Sequence, residues 1–461
     1  MPIRLVLTAV VTLSAGLALT FSTGTKSGSS PGATAVGPAV RLAASTTYPN
    51  WPTYHGTNYR HGDSASMPAV SGSPQVITTL ALDGAVYGSP IVIRGWTILA
   101  TENNTVYAFD ASYRLRWSTH LGSPSPASQR PCGNIDPLGI TGTPAWSATT
   151  ESVYVAPEFS GPTHQLYALY VGTGAIRFHH SLDLSGVDPT VMQQRGALLV
   201  DAHRVFVPFG GLAGDCGQYK GRVVGYSEQG TGNPISYTVP TAREAGIWTP
   251  PGLTGDYYGH IFAAVGNGAS GVGGSYDHSD SILNLSASLA LTDYFSPSTW
   301  AADNDADLDL GSQGATIVGS FVFAVGKSGS AYVLRRNALG HVGGQVSKAS
   351  VCKSFGGTAV SGSVVFVPCL DGLRAVQIDS AGVMHVLWHT STNITGSPVY
   401  GGGRVWSLDP GAGVLYALDP NTGAVREQVT VGAVTRFATP AIYGRDLRIP
   451  TKSGATVART S

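Results

Sequence analysis

The sequence predicts an all-β chain folded as one eight-bladed β-propeller, and three observations support this prediction. Its 461 residues contain 60 Gly and 28 Pro beside 20 Tyr, and 43% of the residues are hydrophobic. That composition is typical of short strands joined by tight turns. A short motif recurs at blade-sized spacing, and the apolar segments between its copies alternate as strands do. We therefore expect strands throughout the folded part of the chain.

The N-terminal 47 residues predict export. Arg4 precedes an uncharged apolar run, Leu5–Phe21, which has the organisation of a secretory signal. No clean cleavage site follows directly, so residues 1–25 are either a signal peptide or an uncleaved signal anchor. Gly, Ser, Thr, Ala and Pro dominate residues 26–47, which predicts a low-complexity linker. We expect a secreted or cell-surface monomer whose propeller occupies residues 48–461.

The charge balance argues against a nucleic-acid partner. The chain has 27 basic and 27 acidic side chains, so its formal net charge is zero. No cluster of Lys and Arg forms the positive surface that binding to a phosphate backbone requires.

The repeat begins with a Gly/Thr-Ser/Thr-Pro-like segment that precedes a short apolar strand. The clearest copies are Gly88–Pro90, which leads to Val106–Asp110, and Gly396–Pro398, which leads to Leu415–Asp419. The third residues of the eight copies are Pro90, Pro144, Ala197, Pro251, Ala315, Ala359, Pro398 and Pro440. Spacings of roughly 40 to 65 residues are those of propeller blades, which bury their faces only against neighbouring blades.

The last copy of the repeat leaves too little chain for a complete blade. Only Arg445–Ser461 remain, so we expect the missing strand to come from Val76–Leu82 near the N-terminus. The ring would then be closed by both ends of the chain. Longer spacings in the first half predict longer loops there, and binding sites usually lie on such loops.

Four cysteines occur in a chain that is predicted to be exported, and export permits disulfides. Cys352 and Cys369 flank a predicted hairpin at 356–368, whereas Cys132 and Cys216 each lie in a Gly-rich loop. We predict the pairs Cys352–Cys369 and Cys132–Cys216, with free buried thiols as the alternative. No pair has the spacing of a zinc site.

The strand and turn Tyr416–Gly423 match an aliphatic-Asp-x-x-Thr-Gly signature, and Leu166–Gly174 is a weaker copy. Together with the leader Trp51–Gly62, these segments resemble the PQQ (pyrroloquinoline quinone) repeats of the quinoprotein alcohol dehydrogenase-like superfamily. The resemblance extends over nearly all of the chain from the leader onward. It implies a docking tryptophan at the end of each repeat, which is kept at Trp117 and Trp388. Other aromatic residues stand at that position in further blades: Phe178, Tyr237 and Phe295.

The resemblance also implies a site, because the dehydrogenases of this superfamily bind PQQ and calcium. Trp248 would form the floor under the quinone, and Asn267, in a Gly-Asn-Gly turn, would bind calcium. Asp307 would be the catalytic base, with Asp305 as the alternative, and Lys327 would contact the quinone oxygens. These residues follow one another in the same order as in the dehydrogenases.

Calcium prefers several oxygen ligands, so Asn267 and the carboxylate of Asp307 form a reasonable pair. The glutamate ligand of the dehydrogenases is absent, and Asp215 is the residue that would replace it. The adjacent cysteines found in many members are also absent. Each position has a structural alternative: Trp248 as a core ring, Asn267 as a turn residue, and Lys327 as a solvated side chain. The segment Asp303–Asp309, here the Asp run, has two, a solvated loop or a structural calcium site.

Two functions remain open at this stage. The first is an exported oxidoreductase that acts on an alcohol or polyol with PQQ and calcium. The alternative is a non-catalytic, extracytoplasmic binding or scaffold propeller for a protein or polysaccharide. Convergence of Trp248, Asn267, Asp307 and Lys327 on one axial pocket would favour the first.

Overall fold

The computed structural model describes residues 48–461 and forms them into eight mainly antiparallel sheets. The predicted eight-bladed propeller is therefore confirmed. The predicted signal and linker lie outside the described residues. In each sheet the first of the four main strands is largely buried, and in most sheets the fourth is much more exposed, so the first lies nearest the axis. No helix in 48–461 is both long enough and apolar enough to cross a membrane.

Blades 1 to 4 carry most of the extra elements of the ring. Blade 1 consists of Ile91–Ile93, Trp96–Ala100, Thr105–Phe109 and Leu115–His120. Blade 2 consists of Ala145–Ser147, Ser152–Val155, Thr163–Tyr170 and Ile176–Ser181, with Glu158–Phe159 added. Blade 3 consists of Leu199–Asp201, Arg204–Gly211, Arg222–Ser227 and Ile235–Thr238, with Met192–Gln193 added. Blade 4 consists of Thr254–Gly255, His260–Val265, Ser281–Ser286 and Leu291–Ser296, with His341–Val342 added.

Blades 5 to 8 are more regular. Blade 5 consists of Thr316–Val318, Phe321–Val325, Ser330–Arg335 and Ser347–Ser350. Blade 6 consists of Ala359–Ser361, Val364–Cys369, Gly372–Ile378 and Met384–His389. Blade 7 consists of Val399–Gly401, Arg404–Asp409, Val414–Leu418 and Val425–Thr430, with Asp63–Ser64 added. Blade 8 consists of Ala441–Tyr443, Asp446–Thr451, Gly454–Arg459 and Gln75–Ala81.

The helical elements are short. The α-helix is Trp300–Asp305, which takes up the start of the Asp run that the sequence suggested as a loop. The 3-10 turns are Tyr54–Gly56, Ala127–Gln129, Pro189–Val191 and Leu310–Ser312.

The N-terminal strand closes the ring as predicted, one residue earlier than expected. Gln75–Ala81 pairs antiparallel with Gly454–Arg459 as the outermost strand of blade 8. An apolar cluster that includes Leu80, Leu99 and Ala455 joins blade 8 to blade 1. Similar clusters lie at the other seven blade boundaries, so apolar burial is continuous around the ring.

The docking aromatics of the repeat pack on the glycine turn of the following blade. Trp117 donates its indole N–H to the Val171 carbonyl at 2.9 Å, and its ring fills the space that a Cβ at Gly174 would need. Gly174 also has a φ of +72°, which disfavours other residues. Phe178 occupies the equivalent place, 2.6 Å from where a Cβ at Gly230 would stand. These contacts explain the Thr-Gly part of the repeat signature.

The leader crosses the ring at one end of the inner strands. It hydrogen-bonds residues in or beside the inner strands of seven blades, namely Val92, Trp146, Leu198, Gly255, Ile317, Val360 and Tyr400. Arg60 anchors it: the side chain is buried and donates to the Leu253 carbonyl at 2.9 Å and to Thr53 at 2.7 Å. Burial lowers the pKa of Arg60 to about 10. The leader therefore covers this end of the ring axis.

Both predicted disulfides are confirmed, and no described cysteine is a free thiol. Cys132–Cys216 joins the connection 121–144 to the loop 212–221, across 84 residues of sequence. Cys352–Cys369 joins the connection between blades 5 and 6 to the second strand of blade 6. Two disulfides are consistent with an extracytoplasmic location.

Candidate functional site

Two adjoining cavities lie among the loops between blades and between second and third strands, and Tyr54 of the leader reaches the larger one. Their volumes are about 550 Å³ and about 380 Å³, and Arg195, Ala213 and Trp248 line both. The smaller cavity, here the acidic half, is further lined by Asp215, Tyr219, Glu244, Asn267, Asn304, Asp307, Asp309 and Lys327. The larger cavity, here the basic half, is further lined by Tyr54, Tyr87, Thr435, Phe355, Arg436, Phe437 and Lys452, among others.

Trp248 stands at the junction of the two halves, immediately before blade 4. Two glycines make room for it: a Cβ at Gly210 would lie 2.8 Å from the Trp248 Cβ, and one at Gly246 would lie 3.2 Å from the ring. A Cβ at Gly266 would lie 3.1 Å from the indole nitrogen. The indole is only partly buried and lines both cavities. It therefore offers ring surface to a ligand.

Asn267 is held from several directions in the acidic half. Its backbone N–H donates to Asp309 Oδ1 at 2.7 Å, and its side-chain Nδ2 donates to Asp307 Oδ1 at 2.8 Å. Its carbonyl accepts from the Ala245 N–H at 2.5 Å. The remaining polar atom, Oδ1, is buried without a hydrogen-bond partner. A buried acceptor left in this state marks a place for a donor, a water molecule or a cation.

Lys327 lies between two carboxylates of the Asp run. Its ammonium is 2.7 Å from Asp307 Oδ1 and also forms an ion pair with Asp309 Oδ2. Burial alone would lower the pKa of Lys327, but Asp309 and Asp307 raise it, and the net shift is upward. Lys327 is therefore a fixed cation at neutral pH.

Asp309 is the buried carboxylate of the acidic half, at 6% exposure. Burial raises its pKa, while the Lys327 ammonium and the Asn267 N–H oppose that rise without cancelling it. Behind it lies Asp280, whose pKa burial raises well above its usual range and whose Oδ1 accepts from the Leu310 N–H at 2.9 Å. A carboxylate with a raised pKa, in a cavity, is suited to accept a proton from a substrate hydroxyl.

The predicted base candidates differ in position. Asp307 lines the acidic half but is exposed, and its backbone adopts a φ of +53°. Asp305 does not line the cavity; it ends the short helix, and its Oδ2 accepts from the Val272 N–H at 3.0 Å. The structure thus brings Asp307 to the site and turns Asp305 away from it.

Asp215, predicted to replace the missing glutamate, also lies in the acidic half. Its Oδ1 accepts from the Tyr219 hydroxyl at 2.6 Å, and the neighbouring Cys216 ties its loop to Cys132. Its carbonyl accepts from Arg243 at 2.9 Å. The loop is thus held beside the cavity by a hydrogen bond, a disulfide and an arginine.

Two acidic residues of this half were missed by the sequence reasoning. Asp309 was read as part of the Asp run, although it directly precedes the segment Leu310–Ala315 that opens blade 5, which places it at the ring axis. Glu244 carried no motif at all. Burial raises the pKa of Glu244. Arg243, whose guanidinium lies 2.6 Å from the Glu244 carboxylate, opposes that rise.

The acidic half offers a stacking ring and a cation to a flat quinone, and one unpartnered buried oxygen to a divalent cation. A quinone would find the Trp248 ring, the Lys327 ammonium and the space of the cavity. For calcium, Asn267 Oδ1 is a buried oxygen without a partner, but the Lys327 ammonium already lies between Asp307 and Asp309. Within residues 48–461 no group of three or more His, Cys, Asp or Glu is arranged to hold a metal.

Comparison with known proteins shows which fold this cavity belongs to. No family model and no curated protein matches the sequence. Among solved structures, a quinohemoprotein alcohol dehydrogenase from Comamonas testosteroni is 15% identical, with a TM-score of 0.68 over 90% of this chain and 81% of that one. A europium-containing methanol dehydrogenase is 15% identical, with a TM-score of 0.67 over 89% and 91%. BamB from Moraxella catarrhalis is 14% identical, with a TM-score of 0.58 over 85% and 98%.

These likenesses show a shared fold. The chain has the eight-bladed propeller of the quinoprotein dehydrogenases and of BamB, as the PQQ-repeat resemblance implied. Because the fold serves proteins of different function, the function of this chain must be argued from its cavity.

Proposed function

We propose that this propeller is an exported quinoprotein-type oxidoreductase that oxidises an alcohol or polyol, with PQQ bound in the acidic half. The observation that carries the proposal is the convergence of Trp248, Asn267, Asp307 and Lys327 on one cavity. The four residues come from separate loops, so only the ring brings them together. Their order along the chain is that of the dehydrogenases.

The proposed reaction removes a hydroxyl proton and a carbon-bound hydrogen from the alcohol, which leaves a carbonyl product. PQQ, when bound, supplies the acceptor for the carbon-bound hydrogen and its two electrons. Asp309 takes the hydroxyl proton, because it is the buried carboxylate of the site and its pKa is raised. Asp307 is the alternative base, and its exposure makes it less suited to the role.

Lys327 and Trp248 hold the quinone in this proposal. The Lys327 ammonium stabilises the negative charge that develops on the quinone oxygens during reduction. The Trp248 ring gives a planar surface for stacking. Positioning of this kind accounts for a large part of enzymatic rate enhancement.

Calcium is the second ligand of the proposal. Asn267 Oδ1, Asp307 and Asp215 would supply oxygens to it, and Asp307 uses only Oδ1 for its present contacts. Calcium would then raise quinone affinity, and its removal by a chelator would lower it.

Reconstitution tests the proposal. The purified protein is incubated with PQQ and calcium, and reduction of an artificial dye is followed with primary alcohols and polyols. We expect binding of PQQ at micromolar concentration and alcohol-dependent dye reduction. Absence of quinone binding at that concentration would contradict the proposal. Binding without turnover would leave the site assigned and reject the substrate class.

The second candidate is a non-catalytic binding propeller for a protein or a polysaccharide. It is favoured by the saturation of Lys327, whose ammonium already pairs with two carboxylates. The glutamate ligand and adjacent cysteines of the dehydrogenases are also absent. A protein that fails to bind PQQ but binds an oligosaccharide in the same cavity would support this candidate.

A further inference from the structure

The basic half carries positive charge that the protein itself does not neutralise. Three cations line it, Arg195, Arg436 and Lys452, and none of its described lining residues is Asp or Glu. Within residues 48–461 no carboxylate lies within ion-pair distance of Arg436 or Lys452. Both side chains are exposed at the mouth of the cavity, where solvent or a ligand can reach them.

Arg436 is oriented by aromatic rings rather than by a carboxylate. Its guanidinium lies 4.3 Å from the centre of the Phe355 ring and 5.4 Å from that of Phe437. Stacking of this kind fixes the plane of a guanidinium and leaves its N–H groups free at the edge. An Arg remains charged at neutral pH, so the N–H groups at the edge of this guanidinium can bind an anion with two parallel hydrogen bonds.

The other cations reach the cavity from different blades. Lys452 comes from the loop between the second and third strands of blade 8, and Arg195 from the connection before blade 3. Arg195 donates to Gln193 at 2.8 Å and is attracted by Glu102 and Asp215, so its charge is partly balanced. Arg436 and Lys452 are therefore the two cations left for a ligand.

A buried hydroxyl and an apolar wall complete the basic half. Thr435 is 3% exposed, lines the cavity, and has an Oγ1 atom without a hydrogen-bond partner. Apolar residues also line this half, here the Trp248 wall: Ile135, Trp248, Pro250, Pro410 and Val434. A donor, two cations and an apolar surface together suit a ligand with an anionic end and a carbon body.

We propose that the basic half binds the carboxylate group of an organic ligand, held by Arg436 and Lys452, with the carbon body of the ligand against the Trp248 wall. Arg436 and Lys452 line only the basic half, so the assignment does not depend on catalysis in the acidic half, although both proposals use the Trp248 ring. Two sources share this chemistry: an aromatic acid, whose ring would stack on the wall, and a uronic acid, whose sugar face would do so.

Calorimetric titration of the purified protein tests the assignment. The probes are benzoate and glucuronate, with benzyl alcohol and glucose as their neutral counterparts and inorganic phosphate as an anion without a carbon body. We expect at least one carboxylate to bind, its neutral counterpart and phosphate to bind at least tenfold more weakly, and affinity to fall with added salt. The probe that binds more tightly identifies the source.

Variants locate the binding site. Arg436→Gln and Lys452→Gln should each weaken binding of the carboxylate by about tenfold, as expected from loss of one charge-assisted hydrogen bond. Arg426→Gln is the matched control, because Arg426 lies on the outermost strand of blade 7 and pairs with Asp419. It should bind like the unmodified protein. Equal binding by all three variants, or phosphate binding as tight as that of both carboxylates, overturns the assignment.

The acidic half provides the check on independence. Lys327→Gln should leave carboxylate binding unchanged while it weakens binding of PQQ. If PQQ does not bind at all but the carboxylate does, the proposed oxidoreductase function fails and the carboxylate site stands. If neither binds, both are rejected.

Discussion

The acidic and basic halves of the axial cavity share Trp248 but differ in whether their charged side chains form ion pairs within the protein. In the acidic half Lys327 pairs with both Asp307 and Asp309, and Asp309 also accepts a hydrogen bond from the Asn267 N–H. In the basic half Arg436 and Lys452 have no carboxylate partner among the described residues. Groups that are compensated internally are positioned for chemistry, whereas uncompensated groups are available to an external ion. This difference separates the proposed catalytic role from the proposed recognition role.

The largest effect is expected at Asp309. Asp309→Asn removes the proposed base and should lower kcat for alcohol oxidation by about 100- to 1,000-fold, since general base catalysis contributes that much. Asp305→Asn is the matched control, because Asp305 lies outside the cavity. It should change kcat by less than about threefold. The kcat of each PQQ-loaded variant is measured by steady-state kinetics. Similar losses of kcat in both variants would refute the role of Asp309.

The next largest effect is expected on the free energy of unfolding, which should respond differently to a substitution in each half. Lys327→Met leaves Asp309 buried without its counter-charge and should lower the free energy of unfolding by about 2 kcal/mol. Arg436→Met breaks no ion pair and should change it by less than about 0.5 kcal/mol. Urea unfolding followed by circular dichroism measures both. Equal destabilisation would show that the halves are not differently compensated.

A smaller effect is expected at the disulfide beside the cavity. Cys132→Ser with Cys216→Ser frees the loops that carry Ile135 and Asp215, so PQQ affinity should fall by about tenfold through lost preorganisation. The matched control, Cys352→Ser with Cys369→Ser, removes the disulfide between the connection before blade 6 and the second strand of that blade. It should alter PQQ affinity by less than about twofold. The reverse order of effects would contradict a role for the first disulfide in shaping the acidic half.

The smallest effect is a shift along the pH axis. Ionised Asp309 is the active form of the base, so kcat/KM should rise as pH increases through its raised pKa. Lys327 lowers that pKa, and Lys327→Gln should therefore move the acid limb of the profile to higher pH. Asp309→Asn should remove the limb. A shift to lower pH, or no shift, would show that Lys327 does not act on Asp309.

Most of the fold could be predicted because the repeat is local. The Pro that precedes an inner strand, as at Pro90 and Pro398, and the glycine turn under Trp117 are short-range features with a direct physical cause. Ring closure by Gln75–Ala81 followed from a blade that lacked a strand. The path of the leader was not predicted, since the buried Arg60 is satisfied by carbonyls that lie far from it in sequence.

The site was harder to predict than the fold. Trp248, Asn267 and Lys327 line one cavity because their loops open at the same end of the ring, and only their order along the chain was evident from the sequence. The Asp run could not be resolved from sequence, since a short helix turns Asp305 outward and only tertiary contacts reveal Asp309. The basic half was missed entirely: its cations are single residues in distant blades, and no local pattern joins them.

One measurement tests the central claim, that the cavity beside Trp248 binds a quinone. PQQ is titrated into the purified protein with calcium present, and quenching of tryptophan emission is recorded. We predict one site with micromolar affinity, weakened at least tenfold in Trp248→Leu and unchanged in the control Trp96→Leu, whose ring lies on blade 1. No binding by the unmodified protein, or equal binding by Trp248→Leu, would contradict the account.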